Sequence, residues 1–222
     1  MATRQLLAEL ATAFEQQSGV RVVFESVGGV DAARRVQTGE VFDVVVLASD
    51  AIDKLVASGH LRADSKVDLV RSGVAVAVRA GAPLPDIGSE DAVRQAVLAA
   101  PSLSCSTGPS GVALAKLFER WGIAGEIQGR MVQAPAGVPV GTLVARGEVA
   151  LGFQQLSELL HVPGITIVGP LPPAIQITTT FSAALPAAGA DADRAEAVQA
   201  LLRYMASPGA AGAKQRQGME SA

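Results

Sequence analysis

Residues 36–59, VQTGEVFDVVVLASDAIDKLVASG, constrain the fold more than any other stretch of the chain. Val41, Phe42, Val44, Val45, Val46 and Leu47 form a near-continuous apolar run broken only by Asp43. The run is rich in β-branched residues and too short for an average helix, so it predicts a strand buried on both faces. Ala48-Ser49-Asp50 ends it, and Ser49 or Asp50 can cap the next helix, because a short side-chain oxygen accepts a free N–H of the first turn. That helix carries Ile52, Leu55 and Val56 on one face and stops at Gly59. In an open α/β sheet, ligands sit at the carboxyl ends of strands beside helix N-termini. The turn Leu47-Ala48-Ser49 is therefore the first candidate for a site.

The rest of the chain repeats this alternation. Leu6, Leu7, Leu10, Ala13 and Phe14 recur at helical spacing up to Ser18-Gly19; 20–26 reads as a strand, 27–30 as a glycine turn and 31–37 as a second helix. Val74, Val76 and Val78 mark a strand within 68–83. Ser89 caps a helix over 90–100, followed by a short strand at 102–106, the turn 107–111 and a helix over 112–121. A strand is expected around Met131 and Val132, then a helix over 140–145 and a strand over 149–153 that enters Gln154-Gln155. A short helix at 157–160, a strand at 165–168, a β-rich return strand at 175–184, a helix over 191–205 and a last helix ending at Gly218 complete the reading. The order specifies an α/β fold.

Composition narrows the function. Half of the 222 residues are apolar (49%), ample for one large domain or two lobes of about 100 residues. A net charge of −3 gives no electrostatic reason to bind nucleic acid. Cys105 is the only cysteine, so there is neither a disulfide framework nor a Cys-rich metal site, and it reads as a small buried strand residue. The two histidines, His60 and His161, stand far apart and suggest no metal site. No P-loop, GxGxxG or Ser-His-Asp order is present, so no cofactor is expected. No run reaches the roughly 18 apolar residues of a membrane span, which predicts no membrane insertion. Met1-Ala2-Thr3-Arg4 leads straight into an amphipathic segment without a leader pattern.

The Gly39-Glu40-Val41-Phe42-Asp43-Val44 strand opening, the small-residue turn and the helix ending at Gly59 resemble the second βα unit of the periplasmic molybdate-binding-protein-like family, solute-binding proteins of ABC transporters. The similarity runs along the whole chain. It implies a two-lobed type II periplasmic-binding-protein fold of mixed sheets with flanking helices. Lobe I would hold residues 1–76 and 180–222, lobe II residues 77–179, with two crossing strands at about 73–80 and 175–184. The family pattern also puts one more strand before the first helix; this sequence begins in the turn that follows it, at Met1-Ala2-Thr3.

Turns 1–3, 27–29, 48–49 and 107–111 each precede a helix and hold small or hydroxyl residues, and 136–138 is similar. Helix N-termini offer free N–H groups and a positive dipole end to an anion, and glycine lets the backbone approach it closely. Each turn taken alone equally suits an ordinary loop or cap. The resemblance makes them converge: it implies a ligand site from Thr3, Gly28, Gly29, Ala48 and Ser49 in one lobe and Ser110, Gly137, Val138 and Gln154 or Gln155 in the other. Molybdate binders commonly carry a tyrosine where this chain has Gln154-Gln155, and an amide donates to a carboxylate as readily as to a metal oxyanion.

The resemblance implies a binding protein that closes on a small anion and delivers it to a transporter permease, in the periplasm. A second reading is an isomerase similar to aconitate isomerase, which moves a double bond in a tricarboxylate by proton abstraction, with Glu25 or His161 as candidate base. A third is a cytoplasmic ligand sensor. Arg4, one residue past the first turn, is either an anion partner or a solvated helix residue.

Overall fold

The computed structural model describes residues 1–135, 137–188 and 192–222. The chain divides into two compact units, residues 1–72 with 179–222 and residues 73–178.

In chain order, the first unit opens with α1 (Arg4–Ser18), α2 (Gly29–Gln37), β1 (Val45–Ala48) and α3 (Ser49–Ala57). The strand β2 (Val67–Arg79) runs from the first unit into the second. The second unit continues with α4 (Glu90–Ala99), β3 (Leu103–Cys105), α5 (Pro109–Arg120), α6 (Ala124–Ile127), α7 (Val140–Arg146), β4 (Leu151–Gln155), α8 (Leu156–Leu159) and β5 (Ile165–Pro170). β6 (Thr178–Ala184) returns the chain to the first unit, which ends with α9 (Ala192–Ala206), α10 (Ala211–Arg216) and β7 (Glu220–Ser221). Ala136 and Asp191, named in the predicted turn and helix, lie outside the described residues.

In the first unit β6 lies between β1 and β2, and β7 pairs the start of β2. Both faces of β1 are covered. Val45 and Leu47 pack with Val36 of α2 and Ile52 and Leu55 of α3. Val44 and Val46 turn to the opposite cluster, where Leu6, Leu10 and Phe14 of α1 meet Leu201, Leu202 and Met205 of α9. The period-two alternation that predicted a doubly covered strand is therefore satisfied over 45–48. It does not extend to the expected start. Val41 is 84% exposed, and Asp43 sits in a bend where Arg194 reaches it at 3.1 Å.

Residues 20–26 depart further from expectation. Their burial alternates as in a strand, with Val22 and Phe24 packed toward the α1–α9 cluster and Arg21, Val23 and Glu25 exposed. No ladder forms, and the Val22 N–H is taken by the Glu15 carboxylate at 2.8 Å. Alternation needs only one packed face, whereas a ladder needs a neighbouring edge, and among the described residues none is paired with this segment.

In the second unit β2 pairs antiparallel with β4 and β5, and β3 runs parallel beside β4. Val74, Val76, Leu103, Leu151 and Phe153 face α4 and α5, with Val93, Val97, Leu114 and Phe118 against them. The other face is built from small residues. A Cβ on Gly152 would lie 2.6 Å from Val144 and 2.9 Å from Val140, so glycine lets α7 close onto β4. Two boundaries shift. The helix expected from residue 112 begins at Pro109, which suits the first turn because its missing N–H is not needed there. Met131 makes a single bridge to Leu103 rather than a strand.

Candidate functional site

The helix starts separate into two kinds. Ser89 caps α4, its Oγ accepting from the Ala92 N–H at 3.1 Å. No side-chain cap stands at α1, α2, α3 or α5, whose capping positions are Thr3, Gly28, Ala48 and Gly108. The expectation that Ser49 or Asp50 caps α3 is thereby corrected. Both residues lie inside the helix, where a side chain no longer reaches back over the first-turn N–H groups. α6, α7, α8 and α10 also start without a side-chain cap, so the missing cap does not by itself mark the starts expected to meet a ligand.

In the first unit, Gly28, Gly29, Ala48 and Ser49 belong to α2 and α3, which pack together on β1. Thr3 precedes α1, whose apolar residues lie in the cluster on the opposite face of β1. Thr3 is buried, and its carbonyl accepts from the Leu7 N–H at 2.8 Å. A Cβ on Gly29 would meet nothing within 4 Å, so packing does not require glycine there. Arg4 is exposed at the start of α1.

The second unit gathers its candidates at one end of its sheet. The parallel register sets Cys105 beside Phe153, which places the residues that follow, Ser106 and Gln154, at adjacent carboxyl ends. Ser106 and Ser110 share a hydroxyl–hydroxyl hydrogen bond of 2.9 Å. The first turn of α5 is pressed onto this strand end: a Cβ on Gly111 would fall 1.6 Å from the Ser106 carbonyl oxygen. Gly137 and Val138 lie in the turn before α7, closed by Val138 N–H donating to the Pro135 carbonyl at 3.0 Å. The Gly141 N–H of α7 donates to Gln154 Oε1 at 3.1 Å, which ties that helix to the end of β4.

Gln154 is thus largely committed inside the unit. Its Oε1 is occupied by Gly141, and its Nε2 donates to Glu158 Oε2 at 2.8 Å. Gln155 is buried next to it. Burial pushes the Glu158 carboxyl above the ordinary glutamate value. The neighbouring Ser157 hydroxyl is buried with no hydrogen-bond partner among the described residues. Sequence reading overlooked Glu158. No local pattern marks it: Gln154 lies on β4, and its bond to Glu158 depends on how the Gly141 N–H turns the amide.

The bases named from sequence fare worse. Both Glu25 oxygens accept from Arg35, at 2.7 and 2.9 Å, and these bonds hold the carboxyl below its usual range. His161 is exposed. Cys105 is half-buried, and burial raises its thiol pKa, which disfavours the thiolate. Among the described residues no three His, Cys, Asp or Glu side chains gather as metal ligands do, and no helix is long and apolar enough to cross a membrane.

A family profile described as bacterial extracellular solute-binding protein matches residues 1–220. The chain belongs to that family. A curated relative, aconitate isomerase from a Pseudomonas species, is 43% identical over 220 residues, covering 96% of this chain and 82% of its own. The periplasmic molybdate-binding protein of Azotobacter vinelandii superposes with a TM-score of 0.78 at 20% identity, over 98% of this chain and 94% of that one. The tungstate-binding protein TupA of Desulfovibrio alaskensis gives 0.67 at 17% identity, over 93% and 86%. PEB3 of Campylobacter jejuni gives 0.71 at 13%, over 99% and 96%. These solved structures establish the mixed α/β periplasmic-binding-protein fold that the sequence predicts for the family.

Proposed function

We propose that this solute-binding protein takes a small organic polycarboxylate of the aconitate type, held by backbone N–H groups at helix starts. The observation that carries the reading is the 43% identity with aconitate isomerase along nearly the whole chain. The fold alone does not choose a ligand, since the same architecture serves molybdate- and tungstate-binding proteins. Local chemistry favours carboxylate. The only tyrosine, Tyr204, packs against Phe14 with the rings tilted and their centroids 5.6 Å apart, and the end of β4 carries amides instead. The proposed ligand groups are Thr3, Gly28, Gly29, Ala48, Ser49, Ser110, Gly137, Val138 and Gln155. Gln154 contributes the one N–H that its internal bonds leave over. Family membership further supports a role outside the cytoplasmic membrane, with delivery to an ABC transporter permease.

The test is a thermal-shift series with trans-aconitate, cis-aconitate, citrate, molybdate, tungstate and sulfate. A ligand at 100 times its dissociation constant stabilises the fold by about 2.7 kcal/mol. Stabilisation by the tricarboxylates supports the reading, and stabilisation by the metal oxyanions alone overturns it. Ser49→Ala and Ser110→Ala should each weaken binding by about 0.5–1.5 kcal/mol, the net worth of a neutral hydrogen bond, in titration calorimetry.

Glu158 favours a second reading, isomerisation of the bound acid. A carboxyl whose pKa burial raises, bonded to Gln154 beside candidate ligand groups, is what proton transfer at carbon needs.

A further inference from the structure

We propose that Glu158 is the group that carries the proton in an allylic isomerisation of an unsaturated polycarboxylate, with Gln154 as its positioning residue. The inference rests on the isomerase reading above. It starts from the way the second unit spends its polar atoms. Gln154 cannot rotate freely, because Gly141 N–H holds Oε1 at 3.1 Å. The opposite end of the amide therefore presents Nε2–H to Glu158 Oε2, at 2.8 Å. One carboxylate oxygen is fixed by this bond, and the glutamate is set on the first turn after β4, where α/β sheets bind ligands. The backbone beneath is equally constrained. α7, which supplies the Gly141 N–H, is seated on β4 through Gly152. The unpartnered buried hydroxyl of Ser157 leaves one polar contact unmet within the same turn. The Gln154 amide steers the carboxylate, and its hydrogen bond only partly offsets the rise in pKa that burial causes.

The step balances without an oxidant or a second reactant. The free Glu158 oxygen takes a proton from the methylene carbon between a carboxylate and the double bond. The C–H electron pair becomes the new C=C bond. The former π pair then takes a proton from the Glu158 carboxyl at the far carbon, which restores the carboxylate; while protonated, the carboxyl trades its proton with solvent, so deuterium from D2O enters the product. The product differs from the substrate in the position and geometry of its double bond.

The experiment follows trans-aconitate in D2O by proton NMR with the full chain, alongside calorimetric binding. Wild type is expected to form cis-aconitate and to exchange deuterium into the methylene position. Glu158→Gln should bind within about threefold of wild type and lose turnover and exchange by about 10²–10⁴, the range of general acid–base catalysis. Gln154→Ala should lower kcat several-fold and raise KM by no more than about tenfold, the share of the one neutral hydrogen bond it gives the ligand. If Glu158→Gln does not fold, Glu158→Asp decides: its displaced carboxylate should cost at least about tenfold in kcat. A rate within threefold of wild type in the variant that decides overturns the proposal. Binding of trans-aconitate without conversion by wild type also overturns it and leaves the receptor reading standing. Failure to bind any tricarboxylate overturns both.

Discussion

Both units tie surface carboxylates to donors, as Arg120 and Trp121 do Glu90 in the second, but they differ in one carboxyl, Glu158. In the first, carboxylates are tied up at the surface. Arg35 gathers Glu25 and Glu40, Lys66 holds Asp53 at 2.5 Å, and Arg216 holds Glu9 at 2.9 Å. Hydrogen bonds from Arg35 keep Glu25 and Glu40 below their ordinary range. For Glu9, partial burial works upward, but Arg216 and Gln217 outweigh it. In the second unit Glu158 is instead desolvated, bonded to an amide and pushed upward. Exposed ion pairs contribute little to stability. A desolvated carboxyl costs stability, and such residues concentrate where chemistry is done. The contrast therefore directs attention to the end of β4 rather than to the charge-rich surface of the first unit.

The largest expected difference tests the packing under that site. Phe153 is 1% exposed and meets Phe118 edge-on at 6.1 Å. Phe153→Ala should cost about 3–5 kcal/mol in denaturant unfolding. Phe24 lies on the ladderless segment of the first unit and is only partly buried. Phe24→Ala should cost about 1–2 kcal/mol. Equal losses would erase the contrast between a laddered and a ladderless strand pattern.

Glycines sharpen the comparison next. Gly111→Ala drives a Cβ onto the Ser106 backbone oxygen, and backbone cannot rotate away. A cost of about 1–3 kcal/mol or more is expected in the melting curve. Gly29→Ala, in the open first turn of α2, should be neutral or stabilising by up to about 1 kcal/mol. A large loss at Gly29 would mean that its backbone is more confined than the open space around it indicates.

Each unit also holds a desolvated charged group, buried Lys214 in the first and half-buried Glu158 in the second, and pH separates them. Glu158 has a raised pKa in the fold, so its favourable contribution is full below the ordinary 4.5 and is lost as pH rises through the elevated value. Glu158→Gln should match wild type in Tm near about pH 4 and exceed it at about pH 7. Lys214 is 1% exposed, and desolvation lowers its pKa from 10.5. Its contribution is present above 10.5 and is lost as pH falls through the lowered value. Lys214→Met should exceed wild type at about pH 7, with the gap closing on the alkaline side. A Tm difference independent of pH in either variant would break the argument.

Much of this could be read in the sequence. The capped start of α4 at Ser89, the doubly covered core of β1 and the helix–strand alternation follow from local chemistry and period, which the structure keeps. Strand ends were less legible. A ladder at 20–26 or at Met131 depends on a neighbouring edge, which no local pattern encodes. The candidate turns were legible because small residues before a helix are a local signature. Glu158 was not, because its character comes from burial and from the orientation that Gly141 imposes on Gln154, thirteen residues away.

The smallest expected effect probes the segment where pattern and ladder part. Val23 is 78% exposed, although it sits mid-way along an alternating apolar run. With Val22 and Phe24 turned to the α1–α9 cluster, Val23 faces outward on an extended backbone that makes no ladder. Val23→Thr keeps the β-branch and the shape and changes only one methyl to a hydroxyl. On a surface position it should alter unfolding free energy by no more than about 0.5 kcal/mol. A loss above about 1 kcal/mol would show that the side chain is covered in solution, since a buried hydroxyl without a partner carries a desolvation penalty of about that size. Edge pairing along 20–26 by another strand is the arrangement that would cover it. The same variant examined by analytical ultracentrifugation distinguishes a strand from a second copy, which concentration would weaken or restore, from one within the chain.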